Sequence, residues 1–131
     1  MIKFVGALVL MIGTMGGAMA QVITPTGAPV TITLTDYAFT PGTLDLKAGT
    51  AYQLHFVNSG SKDHDFSAPD FFAASQIAPD DQTKVAKGIV ELGNGKTVDI
   101  TVTPVMAGTF AVECTHFMHK MMGMHGNIVV Q

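Results

Sequence analysis

The most regular feature of this chain is the alternation of apolar and polar side chains over short runs. Val30-Thr31-Ile32-Thr33-Leu34-Thr35 places an aliphatic residue at every second position and threonine between. A period of two is that of a β-strand with one face buried. Tyr52-Gln53-Leu54-His55-Phe56-Val57-Asn58 and Thr97-Val98-Asp99-Ile100-Thr101-Val102-Thr103 alternate in the same way. Shorter runs at Leu44-Asp45-Leu46, Thr109-Phe110-Ala111-Val112-Glu113 and Asn127-Ile128-Val129-Val130 complete the set, with a looser candidate over 84–92 broken by Gly88.

Turn residues punctuate these runs. Thr40-Pro41-Gly42-Thr43, Lys47-Ala48-Gly49 and Ser59-Gly60-Ser61 are turns, and Gly93-Asn94-Gly95-Lys96 reads as a hairpin turn into the strand at 97–103. Short strands roughly 8–12 residues apart, separated by Gly and Pro, predict an all-β sandwich or barrel. Residues 67–83 break the pattern; Asp70-Phe71-Phe72-Ala73-Ala74-Ser75 predicts a short helix or lid segment near 69–76. No internal repeat, linker or low-complexity tract divides the chain, which predicts one domain.

The N-terminus has a different character. Lys3, the apolar run from Phe4 to Ile12, and Ala18-Met19-Ala20 have the order of a secretory signal: basic, apolar, small-x-small. The apolar run is short for a membrane span, which takes ~20 residues. The expectation is therefore a signal peptide over 1–20 and a single domain over 21–131. Without the leader, six Lys face ten Asp and Glu, and the chain contains no Arg. That balance argues against nucleic acid or an anionic membrane as partner, because both are held through basic patches.

Cysteine usage is sharper evidence. Cys114 is the lone cysteine, so an exported chain has no internal disulfide to form. Such a thiol is an inert buried group, a nucleophile or a metal ligand. Its downstream neighbours favour metal: Cys114-Thr115-His116-Phe117-Met118-His119-Lys120-Met121-Met122-Gly123-Met124 puts a thiolate, imidazoles and thioethers on one short segment. These soft donors suit copper rather than magnesium or calcium. A second imidazole from elsewhere would complete a trigonal site with two His and a Cys, and His64 in Asp63-His64-Asp65-Phe66 is the candidate. His55, inside an alternating strand, reads as structural. Phe71, Phe72, Phe110 and Phe117 read as core or site-shielding residues.

The pattern Cys114-x4-His119-x4-Met124, with His64 upstream in a Gly-rich all-β chain, resembles the cupredoxins. These are small type 1 blue-copper proteins related to plastocyanin, pseudoazurin and azurin. The similarity spans roughly residues 30–130 and is sharpened by Phe110 before Cys114, Gly123 before Met124, and the closing Ile128-Val129-Val130. The resemblance implies a Greek-key β-sandwich of about eight strands, with His64, Cys114, His119 and Met124 ligating one Cu(I)/Cu(II) ion. It implies a periplasmic, monomeric one-electron carrier rather than an enzyme. Its partner would be a redox protein such as a cytochrome or oxidase, met through a partly exposed His119.

Two features stand apart from that pattern. Members of the family commonly carry Asn directly after the first His ligand, where it ties the two ligand segments together; here the residue is Asp65. Its carboxylate is expected to accept hydrogen bonds from the Thr115 hydroxyl or backbone. The segment is also crowded with Met118, Met121 and Met122, flanked by His116 and His125. One reading makes this an apolar skirt for docking, since Met-rich surfaces adapt to partners. The alternative is a copper-handling or copper-tolerance protein that uses His116, Met121, Met122 and His125 to bind a second copper and exchange it with a copper-trafficking protein. A copper reductase or oxidase domain ranks last, because the several-His clusters of such oxidases are missing.

Overall fold

The computed structural model describes residues 22–131, so the expected signal peptide lies outside the described residues. Among those residues ten strands form two five-stranded sheets. In chain order the strands are β1 (Val30–Thr35), β2 (Ala38–Thr40), β3 (Thr43–Leu46), β4 (Tyr52–Asn58), β5 (His64–Ser67), β6 (Ser75–Ile77), β7 (Ile89–Leu92), β8 (Thr97–Pro104), β9 (Gly108–Glu113) and β10 (His125–Val130). One sheet runs β2-β1-β4-β8-β6 and the other β3-β10-β9-β5-β7. The β1–β4 and β3–β10 pairs are parallel; the remaining pairs are antiparallel.

The alternating runs do what their period requires. Ile32, Leu34, Leu54, Phe56, Ile100 and Val102 point from one sheet towards Leu44, Leu46, Val90, Leu92, Val112, Ile128 and Val130 of the other, and all are buried. Fully burying each such side chain stabilises the fold by roughly 1.5–3 kcal/mol. The sandwich is the predicted fold, with more strands than the eight expected, since the three-residue strands β2 and β6 are too short to show a period. His55 pairs across β4 and β8 with Asp99, Nδ1 to Oδ1 at 2.6 Å, which is a structural role.

One local expectation is revised and another is met. The turn at 93–96 is a corner rather than a hairpin: β7 belongs to one sheet and β8 to the other. The segment near 69–76 contains the expected short helix, α1 (Pro69–Ala73). Pro69 starts it, in keeping with the fit of proline to a first helical turn. Phe71 and Phe72 are buried, with Phe71 edge-on to Phe110 at 5.9 Å between ring centres. No helix of the described residues is long and apolar enough to cross a membrane.

The β3–β10 seam depends on a close backbone approach. A Cβ added at Gly126 would lie 2.4 Å from the carbonyl oxygen of Gly42, the same oxygen that accepts from Asn127 N–H at 3.0 Å. Gly126→Ala should therefore lower unfolding stability by roughly 1–3 kcal/mol, the usual cost of overpacking. A urea melt measures it, and an unchanged midpoint would contradict the contact.

Candidate metal centre

β9 ends at Glu113 and β10 begins at His125, and the intervening loop is wound into consecutive turns. His119 N–H donates to His116 O at 3.1 Å, Met122 N–H to Met118 O at 3.1 Å, and Gly123 N–H to Lys120 O at 3.0 Å. Gly123 takes φ +106°, a conformation open to glycine. The loop is closed at its base by Cys114 N–H donating to Met124 O at 3.1 Å and Met124 N–H donating to His119 O at 3.0 Å. Cys114, His119 and Met124 are consequently held in one knot, and all three are buried.

His64 arrives from the neighbouring strand. β5 and β9 share a single registered pair, Ser67 with Glu113. Beyond it the strands part, and the imidazole of His64 fills the opening, wholly buried. Its Nδ1 lies 3.1 Å from Nδ1 of His119 and 3.9 Å from Sγ of Cys114, while Sγ and His119 Nδ1 are 3.4 Å apart. The circle through atoms at those three separations has a radius of about 2.0 Å, close to the ~2.0–2.3 Å bonds of imidazole nitrogen and thiolate to a first-row metal. The donor triangle fits one ion, and its softness fits copper.

Asp65 behaves as expected. Its Oδ1 accepts from Thr115 N–H at 2.9 Å and its Oδ2 from the Thr115 hydroxyl. Its own N–H points at Cys114 Sγ, 3.5 Å away. The neighbourhood also contains residues that no sequence pattern announced. Tyr37 stands edge-on to His119, ring centres 5.0 Å apart. Asp36, between β1 and β2, places Oδ1 2.7 Å from His64 Nε2. Buried Asn58 donates from Nδ2 to Lys62 O at 2.9 Å and Leu92 O at 3.0 Å, and its Oδ1 accepts from Gly60 N–H at 3.0 Å. Asp36 and Tyr37 come from a turn far upstream, where nothing marks them as site residues.

The Cupredoxin-like domain family matches residues 6–130. The chain belongs to the cupredoxins. In fold it is similar to auracyanin B, with a TM-score of 0.61 at 23% identity, over 88% of this chain and 96% of that one. It is also similar to the dithionite-reduced auracyanin of the photosynthetic bacterium Roseiflexus castenholzii, with a TM-score of 0.57 at 24% identity, over 80% and 99%. A multicopper oxidase from Campylobacter jejuni, a metallo-oxidase, gives a TM-score of 0.56 at 14% identity over 84% of this chain and 32% of its own length. Curated protein sequences gave no match.

The surroundings of this cupredoxin's donors control their protons. Burial pushes the Cys114 thiol above the usual range, against the lowering effect of backbone N–H groups of Asp65 and His116. Burial, then the electrostatic influence of the neighbouring His64 ring, pulls His119 below the usual imidazole range. Hydrogen bonds from the Ser61 hydroxyl, His64 and the Ser61 backbone hold Asp36 well below the usual carboxylate range. A second convergence of Asp65, Glu91 and His116 exists. There, however, the Asp65 oxygens already accept from Thr115, and His116 pairs with Glu91, Nε2 to Oε1 at 2.6 Å.

The outer loop is apolar. Phe117, expected in the core or over the site, is 89% exposed, and Met121 is 80% exposed. Of the seven exposed large apolar residues among those described, four are Phe117, Met118, Met121 and Met122. His119 itself is only 8% exposed, less than the partly exposed ligand expected.

The Asp65–Thr115 clamp is testable in the metal-free protein. Asp65→Ala removes two bonds to a buried carboxylate and leaves Thr115 N–H unpaired, and should cost roughly 1.5–3 kcal/mol of unfolding free energy. A chemical denaturation curve matching that of the unaltered protein would remove the clamp from the account.

Proposed function

We propose that this cupredoxin is an exported one-electron carrier, in which His64, Cys114, His119 and Met124 would hold a single copper ion. The observation that carries the reading is the donor triangle, whose centre stands one metal bond from each corner. A copper ion there supplies one-electron chemistry by cycling between Cu(I) and Cu(II). Cys114 would contribute a thiolate that favours Cu(I), the two imidazoles would serve either state, and the Met124 thioether would tune the potential. The β framework and the knotted loop fix the donors from both sides, so little reorganisation accompanies electron transfer.

Phe117, Met118, Met121 and Met122, which flank His119 along the loop, are exposed. An apolar patch beside a nearly buried imidazole suits brief contact with a redox protein: close approach excludes water and leaves a short path through the ring. The copper-handling alternative gains no support from the proteins this chain is similar to.

Loading of the metal-free protein with Cu(II) should give a stoichiometry of one and an intense visible thiolate-to-copper band. Cys114→Ala should abolish the band, and a persistent band would overturn the assignment. Met124→Leu should keep the copper and shift the potential; an unchanged potential would remove Met124 from the ligand set. Because burial keeps the Cys114 thiol protonated at neutral pH, copper uptake should release about one proton. Apparent affinity should then rise about tenfold per pH unit below the thiol pKa, since ligands must lose their protons to bind metal. Uptake without proton release at pH 7–8 would show a preformed thiolate instead.

A further inference from the structure

We propose that Asp36 is a positioning residue for the metal centre: its carboxylate fixes His64 in the tautomer that leaves Nδ1 bare towards Cys114, and strengthens that imidazole as a donor to the oxidised ion. The inference rests on the copper-site reading above and concerns a residue outside the four proposed ligands.

The geometry sets the tautomer. Asp36 Oδ1 is 2.7 Å from His64 Nε2, and an ionised carboxylate only accepts hydrogen bonds. Nε2 must therefore carry the proton, which leaves the lone pair on Nδ1, the nitrogen that faces His119 and Cys114. His119 makes its ring-nitrogen contacts among the described residues through Nδ1 alone, so the two imidazoles are held differently. A metal-bound imidazole whose other N–H donates to a carboxylate is a firmer, more basic ligand.

Asp36 is itself held. Its other oxygen, Oδ2, accepts from Ser61 N–H at 3.1 Å and from the Ser61 hydroxyl. Ser61 is presented by the loop that Asn58 pins through Gly60 and Lys62. Gly60 closes over the pair: a Cβ there would come within 2.5 Å of Asp36 Oδ1 and 3.0 Å of His64 Nε2. Although Asp36 lies at the surface with its side chain 25% exposed, the bond it makes is to a fully buried ring.

An amide cannot do the same work. With Ser61 N–H claiming the single oxygen of an asparagine, the amide NH2 would face Nε2. That nitrogen would have to accept, and the proton would move to Nδ1, where it obstructs the metal.

The test compares unaltered protein, Asp36→Asn and Asp36→Ala, with folding checked by circular dichroism. In the metal-free state, nitrogen NMR of the imidazoles should show His64 protonated on Nε2 in the unaltered protein and on Nδ1 in Asp36→Asn. In the copper-loaded state, loss of the carboxylate in Asp36→Ala should weaken Cu(II) relative to Cu(I) about tenfold. That is a rise in potential of about 59 mV for one electron, with the thiolate band retained. An unchanged tautomer in Asp36→Asn, or an unmoved potential in folded Asp36→Ala, overturns the role of Asp36 while leaving the copper site standing. Unaltered protein that takes up no copper overturns the copper-site reading itself.

Discussion

The carboxylate of Asp65 carries the join on which this molecule's chemistry depends. β5 and β9 are neighbours, but their ladder holds a single registered pair, Ser67 with Glu113. Continued at the same register, it would pair Phe66 with Cys114 and then Asp65 with Thr115. There the strands have parted, and the Asp65 side chain reaches across to Thr115 N–H and its hydroxyl. A side chain thus replaces main-chain bonds that would have closed the gap. With the Thr115 donor satisfied by the carboxylate, the opening leaves no main-chain N–H unpaired at that point. The His64 ring and the Cys114 sulfur occupy the space so created.

Everything nearer the metal position depends on that gap being held open at a fixed width. Cys114 is set by β9 on one side and by its N–H bond to Met124 O on the other. His64 is set by β5 and, from behind, by Asp36. Donor groups brought within 4 Å of one another and removed from water resist charge, and both proton shifts show it: the thiol is pushed up and the His119 imidazole down. Neutral imidazole is ready for a metal; a protonated thiol has to give up its proton first.

The two faces of the site are built differently. Behind it, Asn58, Gly60, Ser61 and Asp36 form a short relay of hydrogen bonds reaching the buried His64. In front, the loop from Phe117 to Met122 has its apolar side chains in solvent and its main chain bonded to itself. Stiff support behind and adaptable sulfur-rich surface in front suit a centre that must keep its geometry while meeting another protein.

How much of this was legible beforehand depended on distance along the chain. The long alternating strands and the soft-ligand loop declare themselves locally: period two sets which face is buried, and Cys114, His119 and Met124 lie within one turn-rich segment. Strand β5 shows no alternation, because all four of its residues are buried; His64 was recognisable through the company of the downstream ligands, not through its own strand. The turn at 93–96 gave no sign that it crosses between sheets, since a tight turn serves a hairpin and a corner equally well. Phe117 was expected to be covered because apolar residues usually are, whereas a loop already closed by its own backbone has no face left to shelter it. The support of His64 by Asp36 was settled by tertiary structure alone. Those residues are joined by the parallel pairing of β1 with β4, which brings the β1–β2 turn beside the loop after β4. Composition and spacing named the ion's chemistry; only the packing of distant strands decided which groups would hold its ligands in place, because a hydrogen bond across a sandwich leaves no period in the chain.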